Sequence, residues 1–380
     1  MSESNNSVTT NIFTLKRIII IAVSVFCLIA FFLCLFLSSS IRTSLRSQQA
    51  ANAWAGQSGE RFSQLSVFFP ESGSFNEDDI RRLYTILDND LRAASMESAE
   101  DRTLYTDAWS TSGDVSLSSL RGSVSAKAIA VGGDFFVFHP LALRDGSYLS
   151  PNDVMKDRVV LDEDLAWRLF GAVRVSGFNV LINNRTFVVA GVIARESDFA
   201  TRTAYTDGAG LFMTYDAFKD MAGDIAGISC YEIVLPDPIS GFAKSTLTGA
   251  ITDPGAFIVE NSTRFSLGNI FAVFRSFGER SMRTTAIVYP YWENAARFAE
   301  DWLALLLVIS IIFIIFPVVC FIIYGVILIR LLIKLGKNLI SGLIAKKDKR
   351  AYEKYLLEHH EEPQIYNVDD IIREVHDEIY

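Results

Sequence analysis

The chain has 380 residues, 50% of them hydrophobic and 21% charged, with 23 Gly and 9 Pro. This composition excludes a disordered, collagen-like or low-complexity protein. The formal net charge of −9 excludes a general nucleic-acid-binding protein, because such proteins neutralise phosphates with clustered basic residues. The mean hydropathy of +0.26 is high for a soluble protein, so we expect membrane lipid as a partner and no nucleic acid.

The first apolar segment covers residues 18–38, which contain no charged side chain. As a helix rising ~1.5 Å per residue, this segment crosses the ~30 Å hydrocarbon layer of a bilayer. Lys16 and Arg17 before it and the serines at 38–40 after it also fit a cleaved signal peptide. The apolar stretch is long for a signal peptide, so we favour a retained anchor.

The second apolar segment covers residues 302–330 and carries no charge before Arg330. It is longer than one perpendicular span requires and too short for a hairpin of two spans. The sequence therefore predicts one tilted transmembrane helix, bent near Pro317, which lacks a backbone donor.

Basic residues flank both segments on one side, at 16–17 and between 330 and 350. By the positive-inside rule, residues 1–17 and 331–380 are cytoplasmic. The prediction is a two-pass protein of the cell membrane whose residues 39–301 form one large domain on the extracellular or periplasmic side.

The domain is expected to begin and end with helical stalks. Residues 41–55 lack Gly and Pro and would continue the first span outward, and residues 292–301 would lead into the second. Asn76 is a predicted N-cap, because acidic residues at 77–79 suit the first turn of a helix. Apolar residues then follow at helical spacing: Ile80, Leu83, Tyr84, Leu87 and Leu91.

The middle of the domain alternates strand and helix signals. Val124–Val137 is predicted as strands interrupted by Gly132-Gly133, with His139 at a strand end. The pair Ser150-Pro151 is typical of a helix start. Arg158–Leu161 is predicted as a short buried strand.

The segment after this strand contains residues typical of helix ends and of a hairpin turn. Asp162–Asp164 opens a helix that Gly171 ends. A hairpin follows, with strands at 178–182 and 186–193, a turn at Asn183-Asn184 and a bulge at Gly191. Later strands are predicted at Tyr231–Leu235 and within Gly249–Val259, so the domain is α+β.

One part of this pattern resembles a known family. Residues 159–171 (VVLDEDLAWRLFG), followed by Gly177, the Asn183-Asn184 turn and residues 188–193 (VVAGVI), resemble the MacB-like periplasmic core domain of ABC transporter permeases. Upstream, residues 133–146, which begin GDFF, are similar to the same family's approach to this block. The resemblance is good from about 120 to 235.

The resemblance implies a fold, a partner and a mode of action. Members of the family have one span, the outer domain and three further spans that form an FtsX-like permease block. A separate cytoplasmic ATPase drives them, and the outer domain moves in response. This sequence shows one apolar segment after the domain where three are expected. It is thus similar to a shortened subunit that pairs with a fuller permease, or to a relative that lost transport.

The sequence nominates no residue for chemistry. There is no Gly-x-x-x-x-Gly-Lys-Ser/Thr motif for ATP hydrolysis, no zinc-ligand spacing among His and Cys and no Gly-x-Ser-x-Gly elbow. Acidic pairs such as Asp162 and Asp164 are explained by helix first turns. We therefore expect no catalytic, cofactor-binding or metal-binding residue and a protein that is not an enzyme.

Two regions are candidate interaction surfaces. The first precedes the second span and would contact the stalk or a neighbouring subunit, although the same aromatic residues also fit a membrane interfacial belt. Its candidate residues are Arg264, Phe265, Arg280, Tyr291 and Trp292. The second is an acidic amphipathic segment in the tail, expected to dock a protein. Its apolar stripe comprises Val368, Ile371, Ile372, Val375 and Ile379.

The sequence and the resemblance together predict a non-catalytic membrane subunit of an ABC-type export or mechanotransmission complex. The expected partner is a separate ABC ATPase, a fuller permease subunit, or both, and an oligomer of the chain is left open. The alternative is a stand-alone envelope sensor or scaffold whose tail recruits a signalling partner.

Overall fold

The computed structural model describes residues 3–56, 59–96, 103–119, 121–205, 209–222, 227–278 and 287–358. The chain divides into two units. One unit is Ile29–Phe313, and the other combines Met1–Leu28 with Ile314–Tyr380.

Two long helices supply the described part of the second unit. Helix α1 covers Glu3–Ser44 and the last helix, α10, covers Tyr291–Glu358. Both contain a segment long and apolar enough to span a membrane, within Leu15–Ser44 and Tyr291–Tyr355 respectively. The bend expected near Pro317 does not interrupt α10, which continues as one helix through this residue.

The unit Ile29–Phe313 is built on one mixed β-sheet of ten strands. The strands are β1 (Phe62–Phe68), β2 (Thr106–Ser119), β3 (Gly122–Gly133), β4 (Leu143–Gly146), β5 (Arg158–Asp162), β6 (Asn179–Ile182), β7 (Arg185–Ile193), β8 (Ala209–Thr214), β9 (Cys230–Pro236) and β10 (Phe257–Glu260). The order is β10-β1-β9-β2-β3-β8-β5-β7-β4, and β6 pairs with both β2 and β7. Only the pairs β3/β8 and β5/β7 among these described ladders are parallel.

Shorter helices connect the strands. They are α2 (Ala50–Ala55), α3 (Glu77–Ala93), α4 (Phe135–Phe138), α5 (Glu163–Phe170), α6 (Phe199–Ala204), α7 (Tyr215–Ala222), α8 (Phe242–Ala250) and α9 (Leu267–Arg275). The mixture of a largely antiparallel sheet and packed helices confirms the predicted α+β class.

The sheet has an apolar core on each face, because successive strand residues point to opposite sides. Leu65 and Val67 of β1 join the core covered by α3, α5, α7 and α8. Phe68, the next residue, joins the opposite core, which is closed by α2, α4 and Trp292 at the start of α10. The second face therefore connects the sheet to α10.

Several predicted elements are confirmed with the expected end signals. Asn76 caps α3 in a capping box with Asp79. The carboxylate of Asp162 accepts a hydrogen bond from the backbone of Leu165, and Gly171 closes α5 in the left-handed conformation. Asn183 and Asn184 both have positive φ, as a tight two-residue hairpin turn requires.

Two predictions in the middle of the domain were wrong. The strand ends at Gly133, and Phe135–Phe138 is the helical turn α4, so His139 follows a helix rather than a strand. Gly133 has positive φ and redirects the chain, after which Phe135 and Phe138 are buried at helical spacing,.

Ser150-Pro151 begins a turn and no helix. The Ser150 hydroxyl accepts a hydrogen bond from the backbone N–H of Asn152, and the Asp153 carboxylate accepts one from the backbone N–H of Ser150. These local bonds satisfy the backbone without a helix. Val154 is 93% exposed, so the segment has no apolar face that would stabilise one.

The first stalk and the last predicted strand are shorter than expected. Helix α1 ends at Ser44 and is followed by a separate 3-10 turn and α2, and Gln64 binds this segment. The Gln64 side chain accepts from the backbone N–H of Ala50 and donates to the carbonyl of Ser47. Gly249 lies in α8, and the strand comprises only Phe257–Glu260.

Candidate functional site

The candidate site is the junction where the sheet, the turn after β10 and the first turns of α10 meet. We use "the junction" for Arg264, Phe265 and the side chains of α10 between Tyr291 and Ala304 that contact them or the sheet. Arg264 lies in the turn after β10, where its backbone N–H donates to the carbonyl of Asn261. Its side chain is buried. All of these residues belong to the unit Ile29–Phe313.

Arg264 is the centre of a buried ion cluster. Its guanidinium donates to both carboxylate oxygens of Glu293, from Nη1 to Oε2 at 2.6 Å and from Nη2 to Oε1 at 2.9 Å. Its Nε donates to Glu300 Oε1 at 2.5 Å. Arg264 is 5% exposed and Glu293 is 1% exposed, so the cluster is shielded from solvent and clamps the turn to α10.

The charges of this cluster are balanced by a second arginine. The Nε of Arg297 donates to Glu293 Oε1 at 2.7 Å, and its guanidinium lies 3.7 Å from the ring centroid of Tyr289. Burial alone would raise the pKa of Glu293, but the charges and hydrogen bonds of Arg264 and Arg297 hold it below its ordinary value,. Glu293 is thus anionic in the folded protein.

The pKa of Arg264 shifts in the opposite direction, upward, which likewise favours the charged form. Burial opposes its positive charge, but the carboxylates of Glu293 and Glu300 outweigh burial and raise the pKa of the guanidinium. A charged pair of this kind is stable in the interior only when both partners and their hydrogen bonds are present.

Apolar contacts surround the cluster. Phe265 packs against a small cluster in which Leu45, after the end of α1, meets Ala295 and Ala299 of α10. The two alanines are one helical turn apart, and small side chains allow close approach of neighbouring segments. Ile41, in the last turn of α1, packs against the same cluster, so the end of α1 lies beside the start of α10 in this unit.

Trp292 and Tyr291 attach the start of α10 to the sheet. The Trp292 ring lies 4.5 Å from the ring of His139 and 5.6 Å from that of Phe135. The Tyr291 ring stacks on Tyr205 at 4.2 Å, and its hydroxyl donates to Glu196 Oε2 at 3.0 Å. Burial, followed by the charge of Glu196, raises the pKa of Tyr291.

A series of buried side-chain hydrogen bonds runs from His139, which contacts Trp292, to Asn261 in the turn after β10. The His139 Nε2 and Glu232 Oε2 atoms are 2.5 Å apart. The Ser66 hydroxyl donates to Glu232 Oε1 at 3.2 Å and accepts from the Asn261 amide at 3.0 Å. This series of bonds connects the residue after α4 with β9, β1 and the turn that holds Arg264.

The structure brings four of the predicted contact residues together at the junction: Arg264, Phe265, Tyr291 and Trp292. Arg280 lies outside the described residues, as does the whole apolar stripe of the tail, which comprises Val368, Ile371, Ile372, Val375 and Ile379.

Sequence reasoning missed the partners of these residues. Glu293, Arg297 and Glu300 are spaced by four and three residues, which places them on one side of a helix just before the second apolar segment. Glu232 was visible as one charge in an otherwise apolar strand. Both signals indicate buried charge, and neither identifies its partner.

The arrangement holds the start of α10 against the sheet. Within the described ranges, no group of three or more His, Cys, Asp or Glu could hold a metal ion. The charged groups of the junction bind one another, so their chemistry is that of a structural connection between the sheet and α10.

Comparison with solved structures found several similar domains. Three of them are the periplasmic region of MacB from Actinobacillus actinomycetemcomitans (21% identity, 58% of this chain and 94% of that chain, TM-score 0.37), the extracellular domain of the noncanonic ABC-type transporter YknZ from Gram-positive bacteria (16%, 48% and 88%, 0.34), and a domain of a putative permease protein from Porphyromonas gingivalis (10%, 53% and 89%, 0.30). The comparison with curated proteins found no match.

The two apolar helices that flank the sheet domain are consistent with a membrane protein. Family comparison gives a match to the MacB-like periplasmic core domain over residues 17–237. This match includes α1 from residue 17 onward and the strands from β1 to β9, which is more than half of the chain. The chain therefore belongs to the MacB-like periplasmic core domain family.

Proposed function

We propose that the chain is a non-catalytic membrane subunit of an ABC-type export or mechanotransmission complex. In this role it couples a cytoplasmic ATPase partner to a domain on the opposite side of the membrane. The family membership supports a permease type of role, and the junction supports a mechanical one.

The observation that carries the proposal is the burial of the start of α10 in the sheet domain. Trp292, Ala296 and Glu293 are each at most 3% exposed, and α10 continues from them as one helix into the second apolar segment. A displacement of this helix along or across the membrane would therefore pull on the sheet through the clamp at Arg264.

The proposal includes a topology. Residues 18–38 and 302–330 would cross the membrane, residues 39–301 would lie outside the cytoplasm, and residues 1–17 and 331–380 would lie within it. The basic residues at 16–17 and at 330–350 support this orientation,.

The tail is proposed as the site that docks the cytoplasmic partner. Its apolar stripe lies between acidic residues, and an acidic amphipathic segment is repelled by anionic lipid, which leaves a protein as its partner. The partner would be the ATPase itself or a fuller permease subunit that binds the ATPase.

Affinity purification of the tagged full chain from native membranes in mild detergent tests this proposal. We expect an ABC ATPase, or a larger permease together with its ATPase, to be recovered with the chain. Ile371→Asp together with Val375→Asp should reduce that recovery about tenfold, which corresponds to a loss of ~1.4 kcal/mol in binding.

The matched control is Ile371→Val with Val375→Ile, which keeps the apolar stripe and should leave recovery unchanged. Recovery of a signalling protein without any ATPase or permease would contradict the transporter role and would favour a sensor or scaffold. Equal recovery with both double variants would contradict docking through the tail.

A further inference from the structure

Helix α9 presents an apolar side that the described part of the domain leaves uncovered. Leu267 is 74% exposed, Phe271 49% and Phe274 48%. They are spaced by four and three residues and therefore lie on one side of the helix. Large apolar side chains grouped in this way indicate an interaction surface.

An adjacent side of α9 packs on α10 and fixes the level of α9 along that helix. Ile270 is buried in a cluster with Leu303 and Ala304, and Val273 and Leu307 pack against the same cluster. Leu307 lies five residues beyond Trp302, the start of the second apolar segment, so α9 extends about 8 Å along it at ~1.5 Å per residue. The helix is therefore at the level where a bilayer would begin.

The polar side chains around α9 make their hydrogen bonds within the chain. The Ser266 hydroxyl accepts from the backbone N–H of Asn269, whose amide donates to the carbonyl of Thr263 at 2.8 Å. The Ser276 hydroxyl donates to the carbonyl of Ala272 at 2.9 Å. Such internal satisfaction is what an environment without water requires.

The charge of this segment also suits a lipid surface. Residues 261–278 contain no Asp or Glu, and Arg275 lies in the last turn of α9. An arginine at the end of a short apolar helix can keep its guanidinium among headgroups while its stem stays in the apolar layer.

We infer that the side of α9 formed by Leu267, Phe271 and Phe274 inserts into the membrane leaflet that faces the domain. The occupant of this surface is the acyl-chain region of phospholipid. This surface lies at the same height along α10 as Leu305, which is 48% exposed and belongs to the second apolar segment. Insertion of α9 would fix the height of the domain above the membrane.

This inference rests on the proposed membrane anchoring but not on an ATPase partner. The test uses the full chain with its four native cysteines replaced by alanine, reconstituted into vesicles of phosphatidylcholine with a minority of phosphatidylglycerol. A nitroxide is attached to Phe274→Cys or, independently, to Leu267→Cys. Its collision rates with oxygen, which concentrates in lipid, and with a water-soluble nickel complex are measured by electron paramagnetic resonance.

Two further sites provide the comparison. Phe178, beside the β6–β7 hairpin, is 52% exposed and serves as an equally exposed phenylalanine away from α10. Phe321, 80% exposed in the second apolar segment, serves as the lipid reference. We expect the ratio of oxygen to nickel accessibility at 274 and 267 to be severalfold higher than at 178 and to approach that at 321.

Each other outcome overturns a defined statement. High nickel accessibility at 274 and 267 with lipid access at 321 would refute insertion of α9 and leave the membrane spans intact. Low accessibility to both reagents at 274 and 267 would show that a protein surface, such as a second copy, covers α9, and would also refute the inference. Nickel access at 321 would instead refute the proposed spans.

Discussion

Arg264 is the residue on which the connection between the turn and α10 depends. Arg264→Ala would remove the buried positive charge that Glu293 and Glu300 share, and would leave Arg297 as the remaining arginine on Glu293. Removing one partner of a buried ion pair costs about 3–5 kcal/mol. We therefore expect the free energy of unfolding to fall by this amount, measured by urea denaturation of the full chain in detergent micelles.

The control for this prediction is Arg144→Ala. Arg144 pairs with Glu163 at 3.3 Å, but its side chain is 55% exposed, and exposed pairs contribute about 0–1 kcal/mol. A loss at position 264 no larger than the loss at 144 would show that the buried cluster does not stabilise the junction.

Asp107 gives a prediction about pH. Its carboxylate accepts hydrogen bonds from the hydroxyls of Tyr84 at 2.7 Å and Tyr231 at 2.8 Å. Burial nonetheless raises the pKa of Asp107 to about 6. The unfolded chain loses this proton near the ordinary value of about 4, so the folded protein loses stability as pH rises from about 4 through 6.

The variant Asp107→Asn isolates this effect, because asparagine keeps an oxygen acceptor for both hydroxyls and carries no charge. One pKa unit corresponds to ~1.4 kcal/mol. Allowing for solvent screening, we expect wild type to lose about 2 kcal/mol relative to the variant between pH 4 and pH 7. Denaturation at both pH values measures this change, and a constant difference between the two proteins would contradict it.

For single residues, the sequence predicts hydrogen bonds to neighbouring residues better than contacts with residues distant in the chain. Asn76 and Asp162 were predictable as caps because their hydrogen bonds are local. The pairs Arg264–Glu293 and His139–Glu232 are separated by 29 and 93 residues, and only the sheet topology brings them together. A pattern along the chain cannot specify such contacts.

The β4–β7 ladder contains a glycine, Gly146, at a position where no other residue fits. Gly146 has a φ of +70°, and a Cβ there would lie 2.1 Å from the carbonyl oxygen of Ala190. Backbone atoms of a paired strand cannot move aside without breaking the ladder. Gly146→Ala should therefore lower the free energy of unfolding by at least ~2 kcal/mol.

Gly249→Ala is the matched substitution in α8. A Cβ added at Gly249 would have nothing within 4 Å of it, and alanine is favoured over glycine in a helix by about 0.5–1 kcal/mol. We expect thermal unfolding of the full chain to shift upward for this variant and downward for Gly146→Ala. A shift in the same direction for both variants would contradict the difference in available space at the two glycines.

Helices and strands were predictable where one segment contained both the spacing of apolar residues and the residues that begin and end the element. Helix α5 had an acidic first turn, an apolar face and Gly171, and the β6–β7 hairpin had two asparagines at its turn. The interpretation failed at residues 135–138, where apolar residues continue past a strand, and at Ser150-Pro151, where the cap signal has no apolar face behind it. In both cases burial against the rest of the fold decided the local structure.

For the whole molecule, the proposed mechanical role requires the sheet domain to lie on the side of the membrane opposite to both chain ends. The sequence predicted two spans from length and composition, and the helices have the length that spanning requires. Packing of α10 into the sheet could not be predicted, because it depends on a turn at 261–266 and on strands far away in the chain.

Labelling of intact cells with a membrane-impermeant maleimide tests on which side of the membrane the sheet domain and the end of α10 lie. Single cysteines would replace Asn89, exposed on α3, and Lys349, exposed on α10, in a chain whose native cysteines are replaced by alanine. We predict labelling of Asn89→Cys in intact cells and of Lys349→Cys only after permeabilisation. Labelling of Lys349→Cys in intact cells, or protection of Asn89→Cys until the membrane is opened, would contradict a domain that is held outside by two spans.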